Sequence, residues 1–325
     1  MRKVSVVLIV ATVVVLLVTA VHAQTAFPNK PVTIVVPYAA GGPTDLVTRV
    51  LADELSRVWN QRVVVENKPG GGTIVGVSAT AHARPDGYTM LTIAPAFVIN
   101  PAVRKNLPYN VKEFAGISIF AEGPQAIVAH PGFAPNTLVE LVGEAKKRSA
   151  NPLSASVGTL AGASHMTGEL LQSKLGIKLK IVPYAGSAQS LPDVLAGRVD
   201  FEIATWGHAR PHVQAGKMKL ISMLFRKRLP DVPNTPTVFE ELPAMSGLPM
   251  GAFLGIAVPA GVPKEIIAQI SSGMRAADAS KSYQERMQGL NHYTSFTTPE
   301  ETDAFLAKSV ATWTEIANQA GINLK

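Results

Sequence analysis

Short β-branched runs alternate with amphipathic stretches along most of this chain, and that alternation restricts its fold more than any other feature. Val32-Thr33-Ile34-Val35-Val36, bounded by Pro31 and Pro37, reads as a buried strand. A helix is expected over 44–59, with Leu46, Val50, Leu51, Leu55 and Val58 on one face and Pro43 in its first turn. Val63-Val64-Val65 is the next strand, followed by Pro69-Gly70-Gly71-Gly72 and a helix to about His82. Pro85-Asp86-Gly87 turns into a third strand ending at Ile93. Strand, helix, strand, helix, strand points to parallel α/β units.

The same grammar returns in the middle. Strands are expected over 126–129, 153–156, 180–182 and 201–203, with helices over 138–147, 164–175, 187–196 and 208–215. Later, 251–258 reads as extended, 264–277 as helical and 300–318 as a long closing helix. At 325 residues the chain has room for about two domains. No repeat of solenoid period and no long linker interrupts it. The expectation is two α/β lobes, with the late strand and the C-terminal helices returning to the first.

The first residues have the pattern of an export signal. Arg2 and Lys3 precede an uncharged apolar run over 4–21, and Val21-His22-Ala23 supplies a small-residue cleavage site. The rival is an uncleaved anchor, since the run approaches the length of a membrane span. Cleavage after Ala23 is the preferred reading, and it leaves a chain with no membrane span, exported to the periplasm. The mature chain then carries 28 basic against 23 acidic side chains, a net +5. Its cations are scattered and aromatics are only 6%, so nucleic acid is not expected as a partner; a mild positive charge favours anionic small molecules. There is no cysteine, which removes disulfides, thiolate metal sites and a cysteine nucleophile.

Three glycine-bearing loops lie between a strand and a helix: Ala39-Ala40-Gly41-Gly42-Pro43-Thr44-Asp45, the stretch 157–164, and Tyr184-Ala185-Gly186-Ser187. In open α/β sheets ligands bind outside the carboxyl ends of strands, beside such loops. Helix starts there leave amides unpaired and partially positive, so several converging starts suit a carboxylate. The plainer reading is that these glycines serve tight turns alone.

Catalytic patterns are weak beside this. Gly70-Gly71-Gly72-Thr73-Ile74-Val75-Gly76 lacks the Gly-Lys-Ser/Thr ending of a phosphate loop and the dinucleotide register. His208 and His212 have no HExxH context, so no metal is expected. Ser164 and His165 are adjacent and would diverge on a helix. No GxSxG occurs. No catalytic residue and no cofactor is therefore assigned. The competing enzyme reading is an exported hydrolase or isomerase using His165 or His212 with a nearby serine. Asp45 falls in a first helical turn, where it would stabilise the helix start. Trp206 reads equally as a stacking surface for a ligand or as inter-lobe core, while Tyr38 and Tyr184, each after a strand-ending proline, suit a cleft wall.

From Lys30 onward, an ordered series of motifs resembles one family. It runs through Lys30-Pro31-Val32-Thr33-Ile34-Val35-Val36-Pro37-Tyr38 into Gly41-Gly42 and Asp45, then Val65-Glu66-Asn67-Lys68-Pro69-Gly70 and Pro85-Asp86-Gly87-Tyr88-Thr89. Asn100-Pro101, Leu107-Pro108-Tyr109, Ser164-His165 with Gly168-Glu169-Leu170, and Val182-Pro183-Tyr184-Ala185-Gly186-Ser187 continue it. Gly197-Arg198-Val199-Asp200, Ala215-Gly216-Lys217, Asp231-Val232-Pro233 and Thr298-Pro299-Glu300-Glu301 complete it. The mature chain resembles the periplasmic substrate-binding receptors of the tripartite tricarboxylate transporter family, the Bug proteins.

That resemblance implies a two-lobed α/β periplasmic-binding-protein fold, each lobe a mostly parallel sheet flanked by helices, with a small organic carboxylate in the cleft. It implies delivery of that ligand to a membrane permease; handing it to a sensor kinase is the variant. The lobes are expected at 24–124 with 247–325, and at 125–246, in a monomer. By position, first-lobe contacts would come from Tyr38, Ala40, Gly41, Gly42, Thr44, Asp45, Thr73 and Ile74. Second-lobe contacts would come from Thr159, Leu160, Ala161, Ser164, Tyr184, Ala185, Gly186, Ser187, Ala204, Thr205 and Trp206. Three departures bear on the ligand. Ala39-Ala40 stand where the family has two prolines, Thr73-Ile74-Val75 where it commonly has an asparagine, and Ala204 where an acidic residue is frequent. The expectation is a ligand with one carboxylate anchor and an apolar or aromatic body, and not an amino acid, whose ammonium would lack a partner.

Overall fold

A computed structural model describes residues 27–158, 162–184, 187–248 and 250–323. The expected signal segment, and with it the cleavage site, lies outside the described residues, as do Thr159, Leu160, Ala161, Ala185 and Gly186.

The first part of the chain forms β1 (Val32–Val36), α1 (Pro43–Trp59), β2 (Val63–Asn67), α2 (Ile74–Ala81), β3 (Thr89–Ile93), α3 (Pro95–Val103) and β4 (Phe114–Gly123). The second comprises β5 (Gln125–Ala129), α4 (Leu138–Lys147), β6 (Leu153–Val157), α5 (Ala163–Leu175), β7 (Leu179–Pro183), α6 (Ser187–Leu195), β8 (Phe201–Thr205), α7 (Trp206–Gln214) and β9 (Lys219–Leu224). A short α8 (Val238–Glu241) precedes β10 (Ala252–Pro259), α9 (Lys264–Asp278), α10 (Lys281–Gly289), β11 (Tyr293–Thr294) and α11 (Pro299–Ala320).

Two sheets result. The first has the order β11-β4-β10-β3-β1-β2, the second β7-β6-β8-β5-β9. The two-lobed α/β architecture expected from sequence is therefore present, and the late strand β10 does return to the first sheet. The expectation of mostly parallel sheets is corrected, however: both are mixed, with antiparallel pairs at β3-β10-β4-β11 and at β8-β5-β9. β1, β2 and β3 pair in parallel, as do β6, β7 and β8, because an α-helix crosses over between consecutive strands. β10 and β5 run antiparallel to their neighbours: β5 enters its sheet straight from β4 of the other sheet, and β10 comes back from β9 through the 225–251 segment that holds α8, so neither follows a helical crossover within its own sheet.

The chain changes sheet within one residue at Pro124, between β4 and β5. It returns between β9 and β10, where Gly251 adopts φ +84°. A Cβ there would sit 3.4 Å from the carbonyl oxygen of Gly123 and 3.5 Å from that of Leu224, so the two crossings lie side by side. α11 packs on α3 and β4 and also reaches α5, where Lys174 pairs with Glu315 at 2.9 Å and Ser173 donates to Gln319.

Packing adjusts the sequence expectations at α1. Val47, Leu51 and Leu55 are fully buried, whereas Leu46 and Val58, assigned to the apolar face, are 42% and 38% exposed. α3 was not anticipated: Pro-Ala-Phe-Val-Ile-Asn-Pro-Ala-Val is apolar but for Asn100 and carries an internal proline, so it shows no amphipathic period. Its burial between the sheet and α11 explains why it needs none. β4 and β9 also went unread, since glycine, serine and glutamate interrupt β4 and β9 shows neither a β-branched run nor strict alternation.

Candidate functional site

Between the two sheets lies a cavity of about 670 Å³. Five helices begin on its wall. Gly42 precedes α1, Thr73 precedes α2, Ala94 precedes α3, Gly162 precedes α5 and Thr205 precedes α7, and none of the five starts has a side-chain cap. Helices that begin elsewhere are treated differently. Thr137, Thr237, Ser280 and Thr298 each accept a backbone N–H at the starts of α4, α8, α10 and α11. α9, opening at Pro263, is an uncapped start away from the cavity. First-turn amides lack intrahelical partners. Those of Thr44, Ala96, Ala163 and Gly207 belong to residues that all line the cavity. Each start contributes roughly 0.3–1 kcal/mol toward an anion when exposed and up to about 2 when partly buried.

The loop leading into α1 is held from behind. Asp45, buried, accepts from the Gly41 amide at 2.8 Å, from Arg49 Nε at 3.0 Å and from Asn67 Nδ2 at 2.8 Å. Burial alone would raise its pKa, but Arg49, the Gly41 amide and Asn67 outweigh this and hold the carboxyl below its usual range. Asn67 also donates to the Tyr38 carbonyl at 3.1 Å. The turn before α2 is tighter. Gly70, Gly71 and Gly72 have positive φ, and so does Thr73 at +85°, a rare state for a β-branched residue. Asn100 on α3 secures it, donating to the Gly72 carbonyl at 2.9 Å and to Thr73 Oγ1 at 3.3 Å.

Four further polar side chains stand on the wall: Tyr38, Arg104, His208 and His292. Tyr38 keeps its hydroxyl protonated, its pKa raised by burial and by Tyr109. Arg104 donates from Nε to Asn100 Oδ1 at 3.3 Å, and its Nη2 lies 3.4 Å from where a Cβ on Gly72 would be. His208 and His292 are both held toward the neutral form: burial dominates each, His212 adds to it for His208, and the Leu290 carbonyl opposes it for His292. Nε2 of His208 has no hydrogen-bond partner among the described residues.

Of the residues singled out from sequence, Tyr38, Thr44, Thr73 and Thr205 line the cavity. Ala40, Gly41, Gly42 and Asp45 shape the first loop without lining it, and the Gly41 amide is already taken by Asp45. Ile74 packs into the core. Ser164 accepts from the Gly158 amide at 3.0 Å, so its hydroxyl closes its own loop. Tyr184 points to Asp193, to which its hydroxyl donates at 2.7 Å; that bond, with burial, pushes its pKa up to about 12. Ser187 opens α6. Ala204 and Trp206 are buried in the second sheet's own core, where the indole Nε1 donates to Asp231 at 3.0 Å. The indole therefore serves as core and not as a surface of this cavity. Neither His165, buried and 3.4 Å from Glu169, nor His212 lines it.

The sequence reading missed Asn100, Arg104, His208 and His292. Pro95 two residues after the β3 end, where a proline suits a helix start, was the available signal for the first two. One guanidinium, that of Arg104, thus stands beside the helix starts on which the sequence reading relied. A second hollow of about 760 Å³ lies between the 101–114 segment and α11, with no helix starts converging on it. Among the described residues no metal-ligating cluster occurs, and no helix is long and apolar enough to cross a membrane.

Comparison with known proteins follows the same lines. The profile described as tripartite tricarboxylate transporter family receptor matches residues 47–322. A UPF0065 protein of Bordetella pertussis is 32% identical over 265 residues, covering 81% of each chain. The structure of the periplasmic binding protein BugD superposes with a TM-score of 0.70 at 33% identity, covering 92% of this chain and all of that one. A protein of R. palustris solved with adipate gives a TM-score of 0.73 at 26% identity, covering 91% of this chain and 99% of its own.

Proposed function

This chain belongs to the tripartite tricarboxylate transporter receptor family, and we propose from that premise that it is a monomeric periplasmic receptor for a small organic carboxylate. The observation that carries the proposal is the convergence of five uncapped helix starts on one inter-sheet cavity. A carboxylate oxygen placed there meets first-turn amides of Thr44, Ala96, Ala163 and Gly207, with the Tyr38 and Thr205 hydroxyls and Arg104 beside them. The family is one of receptors, and the same cavity gains affinity from preorganised donors rather than from a nucleophile and base. Adipate in the R. palustris relative is a ligand of the same chemical class.

The export segment 1–23 is removed after Ala23, and the lobes comprise 24–124 with 247–325, and 125–246. They close about the paired crossings at Pro124 and Gly251, which join them with little chain. The closed form presents a composite surface to membrane permease subunits, which receive the ligand. One carboxylate is anchored and the rest of the ligand is predominantly apolar, because Ala94, Ala96, Ala163, Ala252 and Phe253 dominate the remaining wall.

A thermal-shift and calorimetric panel on the mature protein tests this. A bound carboxylate at about 100 Kd stabilises by about 2.7 kcal/mol. Failure of every mono- and dicarboxylate to shift unfolding overturns the receptor reading. Deleting the gene and finding uptake of the identified ligand intact overturns permease delivery alone.

A further inference from the structure

The main cavity does not end at Ala163 and Phe253. These residues, with Pro95 and Ala252, also form the entrance of a second, smaller space of about 120 Å³ that continues between the sheets toward α11. Its walls include Phe225, Met250, Phe305 and Trp313. Phe253 and Phe305 meet edge to face, centroids 4.9 Å apart, and Trp313 is 4% exposed. Its charged members, Glu122 and Arg226, are paired with each other. An apolar cavity of about 150 Å³ in a protein core holds a benzene molecule. Resting on the receptor reading above, we propose that this annex receives the hydrocarbon end of the ligand, so that the natural ligands are amphipathic monocarboxylates carrying a short alkyl chain or a single aromatic ring.

The geometry orders the two ends. Pro95 and Ala163, at the entrance, are first residues of α3 and α5, so uncapped helix starts stand where the annex opens. A carboxylate at the first-turn amides of Ala96 and Ala163 can direct its tail into the annex, out of water. Inside, no polar side chain without a partner occurs among the described residues to await a second carboxylate, whose desolvation there would be uncompensated. Dicarboxylates must therefore keep both ends in the larger, wetter cavity.

The test is a series of acetate, butyrate, hexanoate, octanoate, benzoate and phenylacetate, with malate and adipate as two-ended controls, titrated calorimetrically. Burying each added methylene should tighten binding about four-fold until the annex is full, near hexanoate. Met250→Trp, which fills the annex, should abolish that dependence on length. Tryptophan fluorescence of the unmutated protein gives an independent readout: tailed acids should shift emission, and Trp313→Phe should silence the shift, since Trp59 and Trp206 lie away from the annex. Binding of malate and adipate with flat or falling affinity along the tailed series, or tailed acids binding without a Trp313 signal, overturns the annex while leaving the receptor reading in place. No binding by any carboxylate removes both.

Discussion

Asn67, at the end of β2, donates its side-chain amide to Asp45 in the first turn of α1 at 2.8 Å, locking a strand end to a helix start behind one wall of the cavity. Asp45→Asn removes the charge on which Gly41, Arg49 and Asn67 converge. We expect a loss of about 1–3 kcal/mol in urea unfolding at pH 7, the usual cost of disrupting buried charge-assisted bonds. Because the folded Asp45 pKa is depressed, its contribution is present above the unfolded value near 3.9 and fades as pH falls toward the folded value. The variant should lose that part of the acid limb. An unchanged limb would show that the network carries no stability.

His208 and His292 give the opposite window. Both are held toward neutrality in the fold, while the unfolded chain takes up protons near pH 6.5. The unfolded state therefore binds more protons below that pH, and stability should decline as pH falls from about 7 toward the folded values. Replacing each with Gln should flatten this decline, measured as denaturant midpoints between pH 7.5 and about 5. A profile rising toward low pH would contradict the burial account.

Gly76 lets α2 approach β1. A Cβ there would fall 2.8 Å from both the Lys68 carbonyl oxygen and Pro37. Gly76→Ala should destabilise by about 1–3 kcal/mol through overpacking, and should also weaken carboxylate binding because the Thr73 turn must shift with the helix. Stability lost with affinity retained would detach that turn from the ligand.

Arg104 is the guanidinium on the cavity wall, positioned by Asn100. Arg104→Gln should weaken carboxylate binding about ten- to hundred-fold, in keeping with the 1.5–3 kcal/mol of bonds to charged groups, and reduce its dependence on salt. Calorimetry at two ionic strengths checks both. Equal affinity at both would place the anion beyond its reach.

Trp206→Phe separates core from site. It removes the Asp231 bond and should cost about 1–3 kcal/mol of stability while leaving carboxylate affinity within two-fold, because the indole faces away from the cavity. Affinity lost in proportion to stability would return Trp206 to the ligand.

Much of the architecture was legible because it rests on local periodicity. β1, α1, α4, α5, α9 and α11 fell within a residue or two of their expected bounds, each marked by a β-branched run or an amphipathic face. The site was legible only in part. Tyr38, Thr44, Thr73 and Thr205 reach the cavity, as loops after strands do in such folds. Gly41, Ser164 and Tyr184 sit in the right loops, yet Asp45, Gly158 and Asp193 engage them in local hydrogen bonds.

The sequence by itself determined the α/β class, the two-lobed plan and the family, since each depends on short-range pattern or on an ordered series of motifs. Only the tertiary structure decided which helix starts remain uncapped toward a common space, that Arg104 and two histidines stand on its wall, and that an apolar annex runs on toward Trp313. Those features join residues as far apart as Tyr38 and His292. The direction of an amide or a ring depends on how the two sheets are set against each other, which no local period encodes.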